Sequence, residues 1–138
     1  MEGPLTGLRI IDSTSNVAMP TAMHIMADMG AEVIKVESHT RIPNRTGSYA
    51  DNDTGTDPWN RESSFNSLHR SKLGITINFK APDAVEAFKD LVRVSDVVAE
   101  NNRAGTVIDP SSSTITPIQV VMAISRFVAE SLSLALSV

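Results

Sequence analysis

Two short apolar runs flank a helical pattern near the start of the chain. Residues 8–12 include two adjacent isoleucines and residues 31–36 are rich in β-branched side chains, so both runs predict buried strands. Between them, Pro20 suits the first turn of a helix and Gly30 suits its end. Strands joined by such a helix form a parallel βαβ unit. The apolar face predicted for the helix consists of Ala22, Ile25, Met26 and Met29.

The pattern disappears between residues 39 and 66. This stretch is polar, rich in Asn, Asp, Thr and Gly, and contains the Trp and the Tyr of the chain. A gap of this length is uncommon inside a compact domain, and it indicates either a functional loop or disorder. The sequence favours neither.

A second βαβ pattern follows the gap. Residues 74–79 alternate with period two and residues 96–99 contain the apolar run Val97-Val98-Ala99, which predicts two more strands. The helix between them is expected to start near Pro82, with acidic side chains early and Lys89 and Arg93 late, as the helix dipole favours. Its predicted buried stripe consists of Ala84, Phe88, Leu91 and Val92.

The alternation of strands and helices predicts an α/β domain with a parallel sheet and helices on its faces. We expect the first strand to lie beside the second or third. Residues 118–124 are expected to form a further strand, while the tail at 131–138 fits a strand or a helix equally well. The positions expected to be buried are Ile10, Ile25, Val33, Ile34, Ile77, Phe88, Leu91 and Val98.

Composition excludes several classes of function. The chain has 138 residues, a formal net charge of −4 and no cysteine, so disulfides and thiolate metal sites are excluded. There is no basic cluster for nucleic acid or a membrane surface, and no apolar run long enough to span a bilayer. The three histidines lack metal-ligand spacing, so no metal site is predicted. A cytoplasmic location is the default expectation.

The charged residues next to the predicted strands are the candidates for binding. Arg70 and Lys72 precede the third strand, and Asn101 and Arg103 follow the fourth. Ligand crevices of parallel sheets lie at the carboxyl ends of strands, so Arg70 and Lys72 stand at the wrong end unless the loop folds over. These bases suit a phosphate-rich ligand, or else they are solvated surface charges.

Four blocks of sequence, in their order, resemble the start of the family III CoA-transferases. This family includes formyl-CoA transferase, carnitine CoA-transferase and α-methylacyl-CoA racemase. The resemblance runs from about residue 4 to residue 127 and implies a Rossmann-like, three-layer fold. The blocks are residues 4–12, residues 27–37 ending Ile34-Lys35-Val36-Glu37, His69-Arg70-Ser71-Lys72, and residues 96–105 containing Glu100-Asn101-Asn102-Arg103-Ala104-Gly105.

The resemblance implies that the substrates are a coenzyme A thioester and a carboxylic acid, with no tightly bound cofactor. It also implies a homodimer, and we expect self-association. The segment after the first strand lies near the thioester end of CoA in this family. The residues thereby implied in CoA binding are Val17, Ala18, Arg70, Lys72, Asn101 and Arg103.

No catalytic residue can be assigned by this match. The family's nucleophilic aspartate, which forms an acyl anhydride, follows the segment matched by residues 125–127, and no aspartate follows Asp109 here. Asp12 is expected to cap local backbone, and Asp28 lies late in a helix away from the crevice. We therefore expect the chain alone to be inactive in acyl transfer.

These expectations divide the chain into residues 1–127, the N-terminal Rossmann-like portion of a CoA-transferase domain, and residues 128–138, a divergent apolar tail. The domain is expected to be incomplete. The alternatives are a non-catalytic module that binds CoA or a nucleotide or pairs with another subunit, and a fragment resembling α-methylacyl-CoA racemase.

Overall fold

The computed structural model describes residues 2–38 and 47–101, together with the backbone of residues 121–124. The strands are β1 (Arg9–Asp12), β2 (Glu32–Glu37), β3 (Leu73–Thr76), β4 (Val97–Glu100) and β5 (Val121–Ile124). The helices are α1 (Ala18–Asp28), α2 (Ser63–Leu68) and α3 (Ala84–Arg93).

The five strands form one sheet in the order β3-β2-β1-β4-β5. Neighbouring strands from β3 to β4 are parallel, and β1 lies beside β2, which confirms the α/β prediction. β5 is antiparallel to β4, so the sheet is mixed at that edge. An apolar run indicates a strand but not its direction, which explains why the sequence did not predict this reversal.

Each face of the sheet has its own apolar cluster, which produces three layers. On one face, Met23 and Ala27 of α1 pack with Ile10 and Val33. On the other face, Phe88 of α3 packs with Ile11, Val36 and Val98. Alternate residues of β1 therefore belong to opposite faces, as the period of two in a strand requires.

The apolar face predicted for α1 is partly wrong. Ile25 is 48% exposed and Met29 is exposed, whereas the buried residues are Pro20, Met23, His24 and Ala27. This helix has apolar residues on most of its circumference, so its periodicity does not decide its rotation. Packing against the sheet decides the rotation of α1, because Met23 and Ala27 lie one turn apart and both contact the sheet.

Most of the other burial predictions are confirmed. The buried positions include Ile10, Val33, Ile34, Phe88 and Val98. Ile77 and Leu91 are only half-buried, but they pack against the cluster on the α3 face.

The ends of the helices match the sequence signals. Gly30 follows α1 with a φ of 101°, a conformation that strains any other residue, and its N–H donates to Ala27 O. In α3, Glu86 lies in the first turn and Arg93 in the last, as predicted.

The connection between β2 and β3 contains structure that the sequence pattern did not predict. From residue 47 onward it includes two 3₁₀ turns, Ala50–Asn52 and Pro58–Asn60, and then α2. Glu62 is fully buried and caps α2, because its carboxylate accepts a hydrogen bond of 2.7 Å from Phe65 N.

Some sequence predictions fall outside the described residues. They include the first part of the polar gap, at 39–46, the tail at 131–138 and the candidate site residue Arg103. The domain boundary after residue 127 also stays a prediction. Among the described helices, none has the length and apolar character needed to cross a membrane.

Candidate functional site

The candidate site lies where β1 and β4 end side by side. The chain leaves β1 through α1 on one face of the sheet and reaches β4 through α3 on the other face. The connections thus diverge between two adjacent parallel strands. A crevice opens at the carboxyl ends of strands at such a switch point, and it is the usual ligand site of an open α/β sheet.

Asn101 joins the two sides of this crevice. Its side-chain oxygen accepts a 2.7 Å hydrogen bond from Ser15 N, and its side-chain amide donates a 2.7 Å bond to Ser15 O. Ser13 N also donates to Ala99 O, which extends the pairing of β1 and β4 by one step. The loop after β1 is therefore fastened to the end of β4.

Three charged side chains form a buried cluster beneath the same loop. Lys72 Nζ lies 2.8 Å from Asp12 Oδ2, and Lys35 Nζ lies 3.7 Å from Asp12 Oδ1. The side chain of Asp12 is 0% exposed, that of Lys72 1% and that of Lys35 5%. One aspartate between two lysines leaves a net charge of +1 in the cluster if all three are ionised.

The cluster also holds the backbone on both sides of the loop. Asp12 Oδ1 accepts hydrogen bonds from the N–H and the hydroxyl of Thr14, so Asp12 caps local backbone as predicted. Lys35 Nζ donates to Thr14 O. Lys72 Nζ donates to Pro20 O over 3.1 Å, inside the first turn of α1.

The ammonium of Lys72 has an acceptor for each of its three donors. Besides Asp12 Oδ2 and Pro20 O, it lies 3.2 Å from Nδ1 of His69. An ammonium cannot accept, so His69 Nδ1 is the acceptor in this contact. The set of three acceptors fits a charged lysine held in one position.

Burial and charge act in opposite directions on the pKa values of the cluster. Burial alone would raise the pKa of Asp12, but Lys35, Lys72 and two hydrogen bonds outweigh it and lower that pKa below 3.8. Burial lowers the pKa of Lys35 and of Lys72 below 10.5, and Asp12 opposes this effect in both. Asp12 is therefore ionised at neutral pH.

Strand register explains how Lys72 reaches Asp12. Leu73 pairs with Ile34, and Ile34 pairs with Ile11, so β3 begins level with Ile11, one residue before the end of β1. Lys72 does precede β3, as the sequence shows, yet this places it beside the carboxyl end of β1. The conflict seen in the sequence disappears because parallel strands need not begin at the same level.

The six predicted CoA-binding residues do not all converge. Val17 and Ala18 are exposed at the start of α1, beside the crevice that Asn101 spans. Arg70 instead pairs with Asp28 near the end of α1, where its Nε lies 2.9 Å from Asp28 Oδ2. Arg103 lies outside the described residues.

Ser71 separates the two basic neighbours. Its φ of 62° turns the backbone between Arg70 and Lys72, so Arg70 lies at the surface and Lys72 in the interior. The Ser71 hydroxyl donates to Asp28 Oδ1 over 2.9 Å and supports this turn.

A concavity of about 430 Å³ opens near the amino end of β1, far from the switch point. Its one arginine, Arg9, is held by Glu32 and by Val94 O. The remaining charged lining residues are acidic, so this cleft is poorly suited to phosphate. Within the described ranges, no group of His, Asp and Glu is arranged to hold a metal ion.

Comparison with known proteins decides the family. The family described as CoA-transferase family III matches residues 5–112. The chain belongs to this family.

Relatives and solved structures agree with this assignment. The chain is 37% identical to an acyl-CoA transferase of Fusarium pseudograminearum, with 77% of the chain and 24% of the relative covered. It is 40% identical to human succinyl-CoA:glutarate CoA-transferase, with 71% of the chain and 21% of the relative covered. A CAIB/BAIF family protein from Brucella suis has a TM-score of 0.64 at 29% identity, with 78% and 28% covered. The chain thus spans about a quarter of the length of these proteins.

The buried cluster is the part of the site that sequence reasoning missed. Lys35 offered a signal, since it interrupts the apolar run of β2 on the face that packs against α1. A buried lysine requires a partner, and Asp12 is level with it on the neighbouring strand. Applying the period of two to charged as well as apolar positions would have paired them.

Proposed function

We propose that this chain binds the coenzyme A of an acyl-CoA thioester and takes part in transferring CoA to a carboxylic acid. Family membership supports the reaction class, and the relatives described above are acyl-CoA or CoA transferases by name. Since the chain spans about a quarter of these relatives, the activity and both substrates belong to the proposal.

The proposal of CoA binding rests on the start of α1, which lies at the switch point. α1 begins at Ala18 without a side-chain cap and without an acidic residue in its first turn. The N–H groups and the helix dipole at such an end attract an anion. With both lysines charged, the buried cluster adds a net charge of +1 directly beneath this turn, where Lys72 contacts Pro20 O.

Val17 and Ala18 are the proposed contacts with the ligand, because they are exposed at this position. Val17 is 62% exposed, which leaves its backbone and side chain accessible from the crevice. Asn101, which follows β4 on the other side of the crevice, accepts a hydrogen bond from Ser15 N and so supports the same loop. Arg103 is retained as a phosphate contact on the family resemblance alone.

Replacing Ala18 by Glu tests the proposal with two opposite effects. A carboxylate in the first turn should stabilise the helix by about 0.3–1 kcal/mol through the dipole, while repelling an anionic ligand. We expect calorimetry to show weaker CoA binding and thermal unfolding to show equal or higher stability. Ala18→Gln is the matched neutral control and should bind more tightly than Ala18→Glu. Undiminished CoA binding by Ala18→Glu would remove the start of α1 from the site.

We also propose that the chain self-associates. Within the described part of the sheet β3 is an edge strand, and Leu73 at its start is 56% exposed. An open edge with exposed apolar side chains favours pairing with another chain. Light scattering at micromolar concentration should show species larger than a monomer, and Leu73→Lys should reduce them. A monomeric wild-type chain would contradict this part of the proposal.

A further inference from the structure

The contacts of Lys72 contradict a simple role as a phosphate ligand. Its side chain is 1% exposed, and its three donors are taken by Asp12, Pro20 and His69. To reach a phosphate it would have to abandon a buried carboxylate. Leaving Asp12 unpaired on that side is costly, because a buried charge without its partner is strongly destabilising.

The groups that the cluster contacts form the two ends of one segment. Asp12 and Lys35 hold Thr14 through its N–H, hydroxyl and carbonyl. Lys72 holds Pro20 through its carbonyl. Between Thr14 and Pro20 lies the exposed turn that includes Val17 and Ala18, and Asn101 fastens the start of this turn at Ser15.

We propose that Asp12, Lys35 and Lys72 are positioning residues, which hold residues 14–20 in the conformation that receives the ligand. This inference rests on the proposed function, in which that turn contacts CoA. A ligand-binding turn that is fixed in advance loses less conformational entropy on binding, so its supports contribute to affinity without touching the ligand. Lys72 then acts on CoA through Pro20 and α1.

The alternative role of Lys72 is direct attraction of the ligand, and a charge-balanced variant separates the two. Asp12→Asn combined with Lys72→Met removes one negative and one positive charge. The net charge of the cluster therefore stays at +1, and Lys35 carries it. Loss of binding in this variant cannot then be ascribed to net charge. The double variant leaves one buried ammonium, that of Lys35, without Asp12, whereas Asp12→Asn alone leaves two, so the double variant should fold more readily than that single variant. Lys89→Met, which removes a lysine from an exposed pair with Glu86 on α3, is the matched control.

Two measurements on the full chain test the proposal. Amide hydrogen exchange without ligand should be faster at residues 14–20 in the double variant, with protection of the strands retained, and unchanged there in Lys89→Met. Calorimetry with CoA at several salt concentrations should show the dissociation constant raised on the order of tenfold at every salt concentration. A direct phosphate contact would instead produce a loss that shrinks as salt increases.

The outcomes distinguish this inference from the proposed function. If the wild-type chain does not bind CoA, the proposed function fails, and with it the role of the turn in CoA binding. The exchange experiment still decides whether the cluster holds the turn. Unchanged exchange at residues 14–20 in a folded double variant, or a loss of affinity that disappears at high salt, would overturn the positioning role.

Discussion

Lys72 Nζ and Asp12 Oδ2 lie 2.8 Å apart in the interior, although 60 positions separate these residues along the chain. Asp12 ends β1, and Lys72 comes just before β3, two strands away in the sheet. Their side chains meet above Lys35, which lies on the strand between them. This ion pair therefore connects three strands and the first turn of α1 at the edge where the candidate site lies.

Replacing Asp12 by Asn should be strongly destabilising. The amide nearly preserves the shape but leaves two buried ammonium groups without a counter-charge, which typically costs about 3–5 kcal/mol. We expect urea unfolding to show a loss of this size. Asp28→Asn, which affects an exposed pair with Arg70, should change stability little. A similar effect of the two substitutions would mean that the buried cluster contributes no more than a surface pair.

Two neighbouring positions on α1 test which face meets the sheet. Met23 is 2% exposed and Ile25 is 48% exposed, although both are large and apolar. Met23→Ala should cost about 2–5 kcal/mol of unfolding free energy, because it leaves a cavity against Ile10 and Val33. Ile25→Ala should cost much less, and a reversed order in chemical denaturation would show that α1 is rotated differently.

His24 should make the fold sensitive to mild acid. It is buried, and burial together with the nearby Arg70 lowers its pKa below 6.5, while Asp28 opposes that shift. The unfolded chain therefore binds a proton more readily than the folded chain. The contribution of His24 to stability is complete above about pH 6.5 and declines as the pH falls below that value.

The measurement for His24 is the free energy of unfolding between pH 7.5 and pH 5.5. The wild-type chain should lose stability over this interval, and His24→Met should lose less. The groups that face His24 are Arg70, Asp28 and Lys72, together with the carbonyl of Leu68. Equal slopes for the two proteins would assign the acid sensitivity to other groups.

Glu100 should destabilise the fold at neutral pH. It is 3% exposed, its Oε2 has no hydrogen-bond partner among the described residues, and burial raises its pKa above 4.5. Ionisation is then harder in the folded chain than in the unfolded chain, so folding becomes less favourable as the pH rises through and above 4.5.

Glu100→Gln removes this penalty and should raise the unfolding free energy at pH 7. At pH 4, where Glu100 is largely protonated in the folded chain, the two proteins should be closer in stability. Denaturant unfolding at both pH values provides the comparison. A variant that is less stable than wild type at pH 7 would show that the carboxylate has a stabilising partner.

The local elements of this protein follow from its sequence. Periodicity and β-branched content place β1 and β2, Gly30 ends α1 through its left-handed backbone, and the charges of α3 fit its dipole. These features depend on residues close in the chain. The blocks of sequence around Val36, Lys72 and Asn101 likewise indicated the family, which the comparison confirms.

The sequence alone could not decide how these elements meet. The rotation of α1, the reversal of β5 and the early start of β3 depend on packing and strand register, which involve residues far apart in the chain. The candidate site shows the same division. Its position after β1 and β4 could be predicted, because carboxyl ends of parallel strands share an edge. The register of β3 and the turn at Ser71 decided that Lys72 lies beside Asp12 and that Arg70 lies beside Asp28. The sequence does not show either feature, and one residue of offset or one positive φ points a side chain in a different direction.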